Sequence, residues 1–597
     1  MLRKIRQTAS MKAIFFLISY ILILIVSLIN CSSENLPFLK EDYIYWIFIL
    51  TPVALFFNPT NKTLKINIHD TILILLAIIG TIHFIIFSKA TIYNTTIWCY
   101  IGYLVIYLLL RTYSTATEVT KKILIYLLYF CTSTAVLNIF WMFLQWKHLV
   151  SSPNEFFLTT GLFFSPNQLG IYLSIGCLSS LYLFQKAKNS LIKTGLGLSL
   201  LLILIGVCIS ESRGAFISLC TAIGYYFYHS KIKMKSPVNW KTTLVIGILI
   251  VSSLYFVTAV NKNKAESNSG RYFTTKQVIQ QIAKNPLGYG VNSFSSEYNK
   301  LKAQYFDTNS NWEEMKNAGY IYNANNDFLE LTFELGILWI LPFLVFIVLL
   351  FRKKENTIEI QIARTILICL LVFSLTNNIL TLPIFPIITC ICTVIIINTT
   401  NPKVIYECKN RTFYKLITIG LILSFAIIQI NRINAEYKLY KLYKDKLYLK
   451  GENQLKGYLS KIDNKGEELF MGGIILIKNG YKKESTAYIK TGFERSGKPS
   501  FGRILANGLK KQKQYTLAET IYTYNKNVEP YRYEARVDLF DLFLETNQKA
   551  KAKKMALEII NLPIKIHSAS IIGFKKKAKL YLKKYNNEQT KKSNSKF

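Results

Sequence analysis

The sequence predicts an all-α fold: a polytopic integral membrane protein of about 12–13 transmembrane helices, followed by a soluble α-helical repeat domain at the C-terminus. Three observations predict it. Apolar residues make up 51% of the 597 and gather in uncharged blocks such as Ala13–Asn30, Thr71–Phe87 and Thr243–Val260. Each block approaches the roughly 20 residues that cross a hydrocarbon core, where only a helix satisfies its own backbone within one segment. Lys and Arg collect in alternate connections between the blocks. After Asn431 the blocks cease and a 34-residue spacing sets in.

Spans are expected to start near Ala13, Tyr43, Thr71, Thr96, Ile123, Gln168, Gly195, Gly214, Thr243, Leu335, Arg364, Ile384 and Lys415. Arg3, Lys4, Arg6 and Lys12 precede the first block. Its apolar run exceeds the roughly 7–15 residues of a signal-peptide core and no small-residue cleavage pattern follows, so it reads as an uncleaved anchor. With the N-terminus cytoplasmic, the basic connections fall inside: Arg111, Lys121 and Lys122; Lys186, Lys188 and Lys193; Lys231, Lys233, Lys235 and Lys241; Arg352, Lys353 and Lys354; Lys403, Lys409, Arg411 and Lys415. Cytoplasmic loops retain such residues. This topology divides the chain into a membrane domain, residues 1–430, with a large outer loop at 261–334, and an extracytoplasmic domain, residues 431–597.

The net charge is +38. Much of the excess lies in the cytoplasmic connections, where topology accounts for it, and most of the rest lies in the tail; no nucleic-acid motif accompanies it. A basic surface beside a bilayer suits anionic lipid or acidic glycan. All ten cysteines fall between Cys31 and Cys408, inside or beside spans, with no zinc-type spacing. The outer loop and the tail must therefore fold by packing, without disulfides.

In the tail, Tyr481 and Tyr515 stand 34 residues apart, as do Ala518 and Ala552, and Pro499, Pro530 and Pro563 recur at similar intervals. Small residues at that period resemble tetratricopeptide repeats, whose stacked helix pairs form a curved surface for partners. A generic helical bundle is the alternative.

The outer loop is far longer than an ordinary connection, which argues for a functional segment or a small subdomain. From Asn261 to Glu330 it carries eight basic and seven acidic residues, so its contents matter more than its charge. Three segments in and near it stand out. They are Phe164-Ser165-Pro166-Asn167-Gln168-Leu169-Gly170; Ser212-Arg213-Gly214-Ala215; and a run from Gly270-Arg271 through Asn285-Pro286-Leu287-Gly288-Tyr289-Gly290 to Asn323-Ala324-Asn325-Asn326-Asp327-Phe328-Leu329-Glu330-Leu331 and Glu334-Leu335-Gly336. In this order they resemble the O-antigen ligase and polymerase family, whose members carry Phe-x-Asn-Pro-Asn, Ser-Arg-Gly-Ala and Ala-His-Asn stretches. Pro166 and Asn167 also suit a helix start, and Gly288 and Gly290 a turn.

The resemblance implies an enzyme of the bacterial inner membrane that works at its outer face. It would move a glycan from undecaprenyl diphosphate to a hydroxyl acceptor on lipid A core, on another glycan or on a protein, with no metal, nucleotide sugar or other cofactor. Such a transfer releases a diphosphate, and Arg213 and Arg271 are the candidates to hold it, because a guanidinium keeps its charge and forks onto two oxygens. Where the family has its histidine, this chain has Asn325, which cannot take a proton. Asp327 or Glu330 is then the candidate base, with Asn325 left to orient the acceptor. Of the histidines, His148 alone lies in an outer loop near Pro166. Three functions remain open: a ligase, a polymerase of the same family, or a non-enzymatic transporter or scaffold that recruits a protein partner through its repeats. The spans are short of the midplane charges a transporter needs.

Overall fold

The computed structural model describes residues 64–87, 93, 95–113, 117–154, 156–233, 265–352, 357–400, 402–408, 411–444, 449, 451–462, 466–565 and 567–594. The spans expected near Ala13, Tyr43 and Thr243 lie outside them. Two short strands, β1 (Leu64–Asn67) and β2 (Val404–Cys408), pair antiparallel with Leu64 opposite Cys408. Everything else of regular form among the described residues is helix. In chain order these are α1 (Ile68–Phe87), α2 (Thr95–Tyr113), α3 (Thr117–Trp146), α4 (Pro166–Lys186), α5 (Ser190–Ile209), α6 (Arg213–Lys233), α7 (Ala265–Lys284), α8 (Phe294–Thr308), α9 (Trp312–Met315), α10 (Asp327–Leu335), α11 (Ile337–Arg352), α12 (Ile358–Ser374), α13 (Ile384–Thr400) and α14 (Arg411–Lys444). The tail continues with α15 (Glu452–Leu459), α16 (Gly466–Lys478), α17 (Lys482–Ser496), α18 (Pro499–Lys511), α19 (Tyr515–Val528), α20 (Glu534–Glu545), α21 (Lys549–Asn561) and α22 (Ala569–Asn594).

The described residues fall into two compact units. The first takes those up to Phe87 and those within Thr95–Lys264 and Asn325–Ile433; the second takes Tyr93 and those within Ala265–Ala324 and Asn434–Phe597. The protein is an all-α membrane protein. Ile68–Phe87, Thr120–Trp146 and Ser190–Ile209 are each long and apolar enough to cross a bilayer, and Trp98–Leu108, Ile337–Arg352 and Ile384–Thr400 are shorter apolar helices.

In the first unit α4 is the central element. Every residue from Leu169 to Ser180 is buried, and the helix packs against α3, α5, α6 and α12. A helix buried all round needs neighbours on every side, which fits its lack of an apolar stripe. By contrast, α5 leaves Leu191, Leu198, Leu201 and Ile205 exposed, a surface suited to lipid. One buried ion pair closes the β1–α1 corner: Arg111 donates from Nε to Asp70 Oδ1 at 3.1 Å and from Nη2 to Oδ2 at 3.0 Å. Asp70 stands in the first turn of α1 and Arg111 in the last turn of α2. The pair thus joins helix ends rather than lining the middle of a span.

The second unit joins the long loop within Ala265–Ala324 to the tail. The loop has a small core of its own, Phe273, Phe306 and Ala318, and α8 lies against α19 and α17. Among the described residues, the polar contacts that bind the two parts include three hydrogen bonds. Tyr320 Oη donates to Ser496 O at 2.9 Å, Asn527 Nδ2 to Asp307 Oδ1 at 2.7 Å, and Lys565 Nζ to Lys316 O at 2.8 Å.

The tail is a row of helical hairpins, α16/α17, α18/α19 and α20/α21. Each hairpin turns through a left-handed residue, Gly480, Lys513 or Asn547, and each second helix buries a small fourth residue, Ser485, Ala518 or Ala552. The sequence spacing of tyrosines is one residue out of this register: Tyr481 precedes α17, whereas Tyr515 opens α19. The prolines are not equivalent either, since Pro499 starts α18 while Pro530 and Pro563 lie between helices. The first hairpin packs at glycine distance: a Cβ on Gly466 would come 2.3 Å from Gly492 O, and one on Gly473 would come 2.4 Å from Ile489 Cγ1.

Candidate functional site

Three helix starts in the first unit converge. The start of α4 is fixed by Pro166 at its first position, with Ser165 as the cap that accepts from Asn167 N at 3.2 Å. Pro166 therefore serves the helix start as expected, but Asn167 is inside the helix and Ser165 does the capping. The segment leading there is held by two amides buried on α3. Gln145 Oε1 accepts from Thr160 N and Gly161 N at 3.0 and 2.9 Å, and Asn138 Oδ1 accepts from Leu162 N at 3.0 Å.

The second start is α6. The turn before it passes through Glu211 in the left-handed region, φ +48°, and Ser212 Oγ accepts from Ala215 N at 3.3 Å. Arg213 is the first residue of the helix. The two motifs touch: a Cβ on Gly170 would meet Ser210 Oγ and Ser212 Cβ, each at 2.8 Å. Glycine at 170 thus lets α4 approach the Ser-Arg-Gly-Ala turn.

The third start is α10. Asn325 has φ +53°, a conformation that Asn tolerates better than most residues. Asn326 caps the helix by accepting from Leu329 N at 3.0 Å and donates to Leu375 O at 2.8 Å. Asp327, 5% exposed, accepts from Ile379 N at 3.0 Å. Asn378 Nδ2 donates to Glu330 Oε2 at 2.8 Å and reaches Asp327 Oδ1 at 3.4 Å, so one amide spans both carboxylates. Burial, with Glu330's negative charge adding to it, pushes the Asp327 carboxyl up to about 8 against the hydrogen bond from Ile379. Asp327 therefore keeps its proton at neutral pH.

The turn Leu375–Leu380 is the common ground. It carries the Asn326, Asp327 and Glu330 contacts, and a Cβ on Gly214 would come 2.9 Å from both Asn377 Nδ2 and Thr376 Oγ1. Asp327 and Glu330 thus meet one turn of the first unit, and Arg213 and Asn325 each stand one residue from a group that does, Gly214 and Asn326. Arg271 is carried by the second unit on α7, near the hydrogen bond from Ser269 Oγ to Asn317 Oδ1 at 3.0 Å. Gly288 and Gly290 adopt φ +89° and +108° in the turn between α7 and α8, as expected of turn glycines. His148 sits just past α3 with φ +57°.

The sequence reading missed Asn138, Gln145 and Asn378. A signal was present in each case, because an amide inside or beside an apolar span has to find partners. Among the described residues no group of three His, Cys, Asp or Glu side chains is placed to hold a metal ion. What the site offers is a guanidinium at a helix start, a buried protonated carboxyl, and a second carboxyl, half-buried, fixed by an amide. This is equipment for handling an anion and moving a proton.

Residues 198–344 match the family model described as O-Antigen ligase. No curated protein and no solved structure matches the chain. The matched stretch includes Arg213, Arg271, Asn325, Asp327 and Glu330, and stops before the Leu375–Leu380 turn.

Proposed function

We propose that this chain, whose residues 198–344 match the O-Antigen ligase model, is a membrane glycosyltransferase that transfers a saccharide from undecaprenyl diphosphate to a hydroxyl on lipid A core or protein. The observation that supports this reading is the meeting of Gly214, Asn326, Asp327 and Glu330 at the Leu375–Leu380 turn, with Arg213 and Asn325 their neighbours in the chain. The site works at the outer face of the bacterial inner membrane, and the tail, arranged as tetratricopeptide-like repeats on the same face, recruits the acceptor.

Arg213 holds the lipid diphosphate, and Arg271, carried by the other unit, is the second candidate for that role. A permanently charged fork stabilises the negative charge that grows on the leaving phosphate oxygen as the sugar C1–O bond breaks. The acceptor oxygen bonds to C1 from the opposite side, and its proton passes to Glu330, the carboxyl with a partly exposed face. Asn378 positions Glu330, and Asp327 anchors α10 through Ile379. Asn325 orients the acceptor hydroxyl by hydrogen bonding. No covalent glycosyl-enzyme is formed.

The deciding experiment is the glycan inventory of a strain lacking the gene. Loss of long glycan from lipid A or protein, with its accumulation on the carrier lipid, is the expected result. Accumulation of single repeat units would instead establish a polymerase, and unchanged pools would refute a transferase.

A further inference from the structure

The second unit contains a cleft of about 600 Å³ between the end of α8, α9 and the helices α19 to α21, within the roughly 300–1,000 Å³ of small-molecule sites. Trp312 gives it an aromatic wall, and three cations, Lys526, Arg536 and Lys554, share it with Asp307 and Glu558. The two carboxylates are outnumbered by the three cations, and Glu558 pairs with Lys526 and Arg536 only at long range. Asp307 is engaged by Asn527 at 2.7 Å. Glu558 Oε2 stands 3.8 Å from Lys526 Nζ and 3.6 Å from Arg536 Nε, too far to hydrogen-bond either.

Arg536 is 5% exposed and donates from Nη1 to Arg532 O at 3.0 Å, while its buried Nε has no hydrogen-bond acceptor. Burial pulls the Lys526 ammonium below its usual range against the pull of Glu558, and the Arg536 and Lys554 charges add to the fall. A buried guanidinium whose Nε has no hydrogen-bond acceptor, beside a lysine repelled by two cations, makes the cleft favourable to an anion.

We propose that this cleft binds an anionic saccharide unit, a sugar bearing a carboxylate or a phosphate, with the acidic group on Arg536 and Lys526 and the sugar ring against Trp312. The saccharide half of this inference rests on the transferase reading above; the anion half rests on the cleft alone. A carbohydrate site on the unit that contains both loop and tail would select glycans by charge.

The test uses the full-length protein in lipid nanodiscs and reads binding by saturation-transfer NMR at low salt, with D-glucuronate, glucose 6-phosphate, D-glucose and inorganic phosphate as probes. Glucuronate and glucose 6-phosphate are expected to bind at least about tenfold more tightly than glucose. Lys554→Gln, a change at an exposed position, should weaken them several-fold, and Glu558→Gln should tighten them by removing the competing carboxylate. Equal binding of glucose and glucuronate, or no change in both variants, would overturn the proposal. Inorganic phosphate binding as tightly as the acidic sugars would overturn the saccharide assignment. Because the readout is binding, a chain that transfers nothing passes or fails this test independently.

Discussion

Lys302 on α8 offers a sharp test of how the long loop before α10 is held. Its side chain is 2% exposed, donates to Asn299 Oδ1 at 2.8 Å and to Gly319 O, and so pins the loop residues that lead toward Tyr320. Burial pulls its ammonium down to about 7 from 10.5, against a small opposing pull from Glu529. The folded state therefore binds about half a proton at pH 7 and almost none at pH 9, while the unfolded chain stays protonated through that range. Stability follows the excess of protons bound in the unfolded state, so raising the pH from 7 to 9 should stabilise this region. Integrating the difference gives about 2 kcal/mol, or roughly thirty-fold in the opening equilibrium. Hydrogen exchange across Phe294–Ile321 in the full-length protein, corrected for intrinsic rates, reads that quantity directly. Lys302→Met, which keeps the length and removes the charge, should abolish the pH response. Parallel pH profiles for wild type and variant would refute a buried, titrating lysine.

The other expectations are as follows. Arg213→Lys and Arg271→Lys should each lose most transfer while the protein still inserts and accumulates, because an ammonium cannot fork onto two oxygens; full activity in both, measured on carrier-linked glycan, would reject the diphosphate assignment. Asp327 titrates near 8 when folded and near 3.8 when unfolded, so the stability it gives is complete below pH ~4 and lost as pH rises through 8. Thermal melts should accordingly flatten with pH in Asp327→Asn, and Asp327→Ala should cost about 1–3 kcal/mol by orphaning the Ile379 N–H. Gly473→Ala should cost about 1–3 kcal/mol in the second unit, where the added methyl meets Ile489, a loss visible as faster proteolysis of the tail.

The membrane helices were legible because an apolar run is a local signal. The expected starts from Thr71 to Gly214 fall in α1 to α6 and those from Arg364 to Lys415 in α12 to α14, whereas Leu335 ends α10, two residues before α11 begins. The Ser-Arg-Gly-Ala and Asn-Asn-Asp segments were likewise found from adjacent residues, and both proved to begin helices. What remained hidden depends on distant partners. Nothing near Asp327 in the chain announces Ile379, and nothing near Asp307 announces Asn527, which lies 220 residues away. Repeat register was also only partly readable. Buried small residues at 485, 518 and 552 mark it, whereas tyrosine and proline, free to sit on either side of a hairpin turn, blur it by a residue or more.

The joining of loop and tail in one packed unit has a consequence of parity. Two segments that share a core and the hydrogen bonds of Tyr320, Asn527 and Lys565 must lie on one side of the bilayer, whichever side that is. The polypeptide between Ala324 and Asn434 must then cross an even number of times, a condition that the four spans expected to start near Leu335, Arg364, Ile384 and Lys415 would meet. A gain or loss of one passage there would strand the loop from its partner, so insertion errors in this stretch are selected against by folding itself, without reference to catalysis.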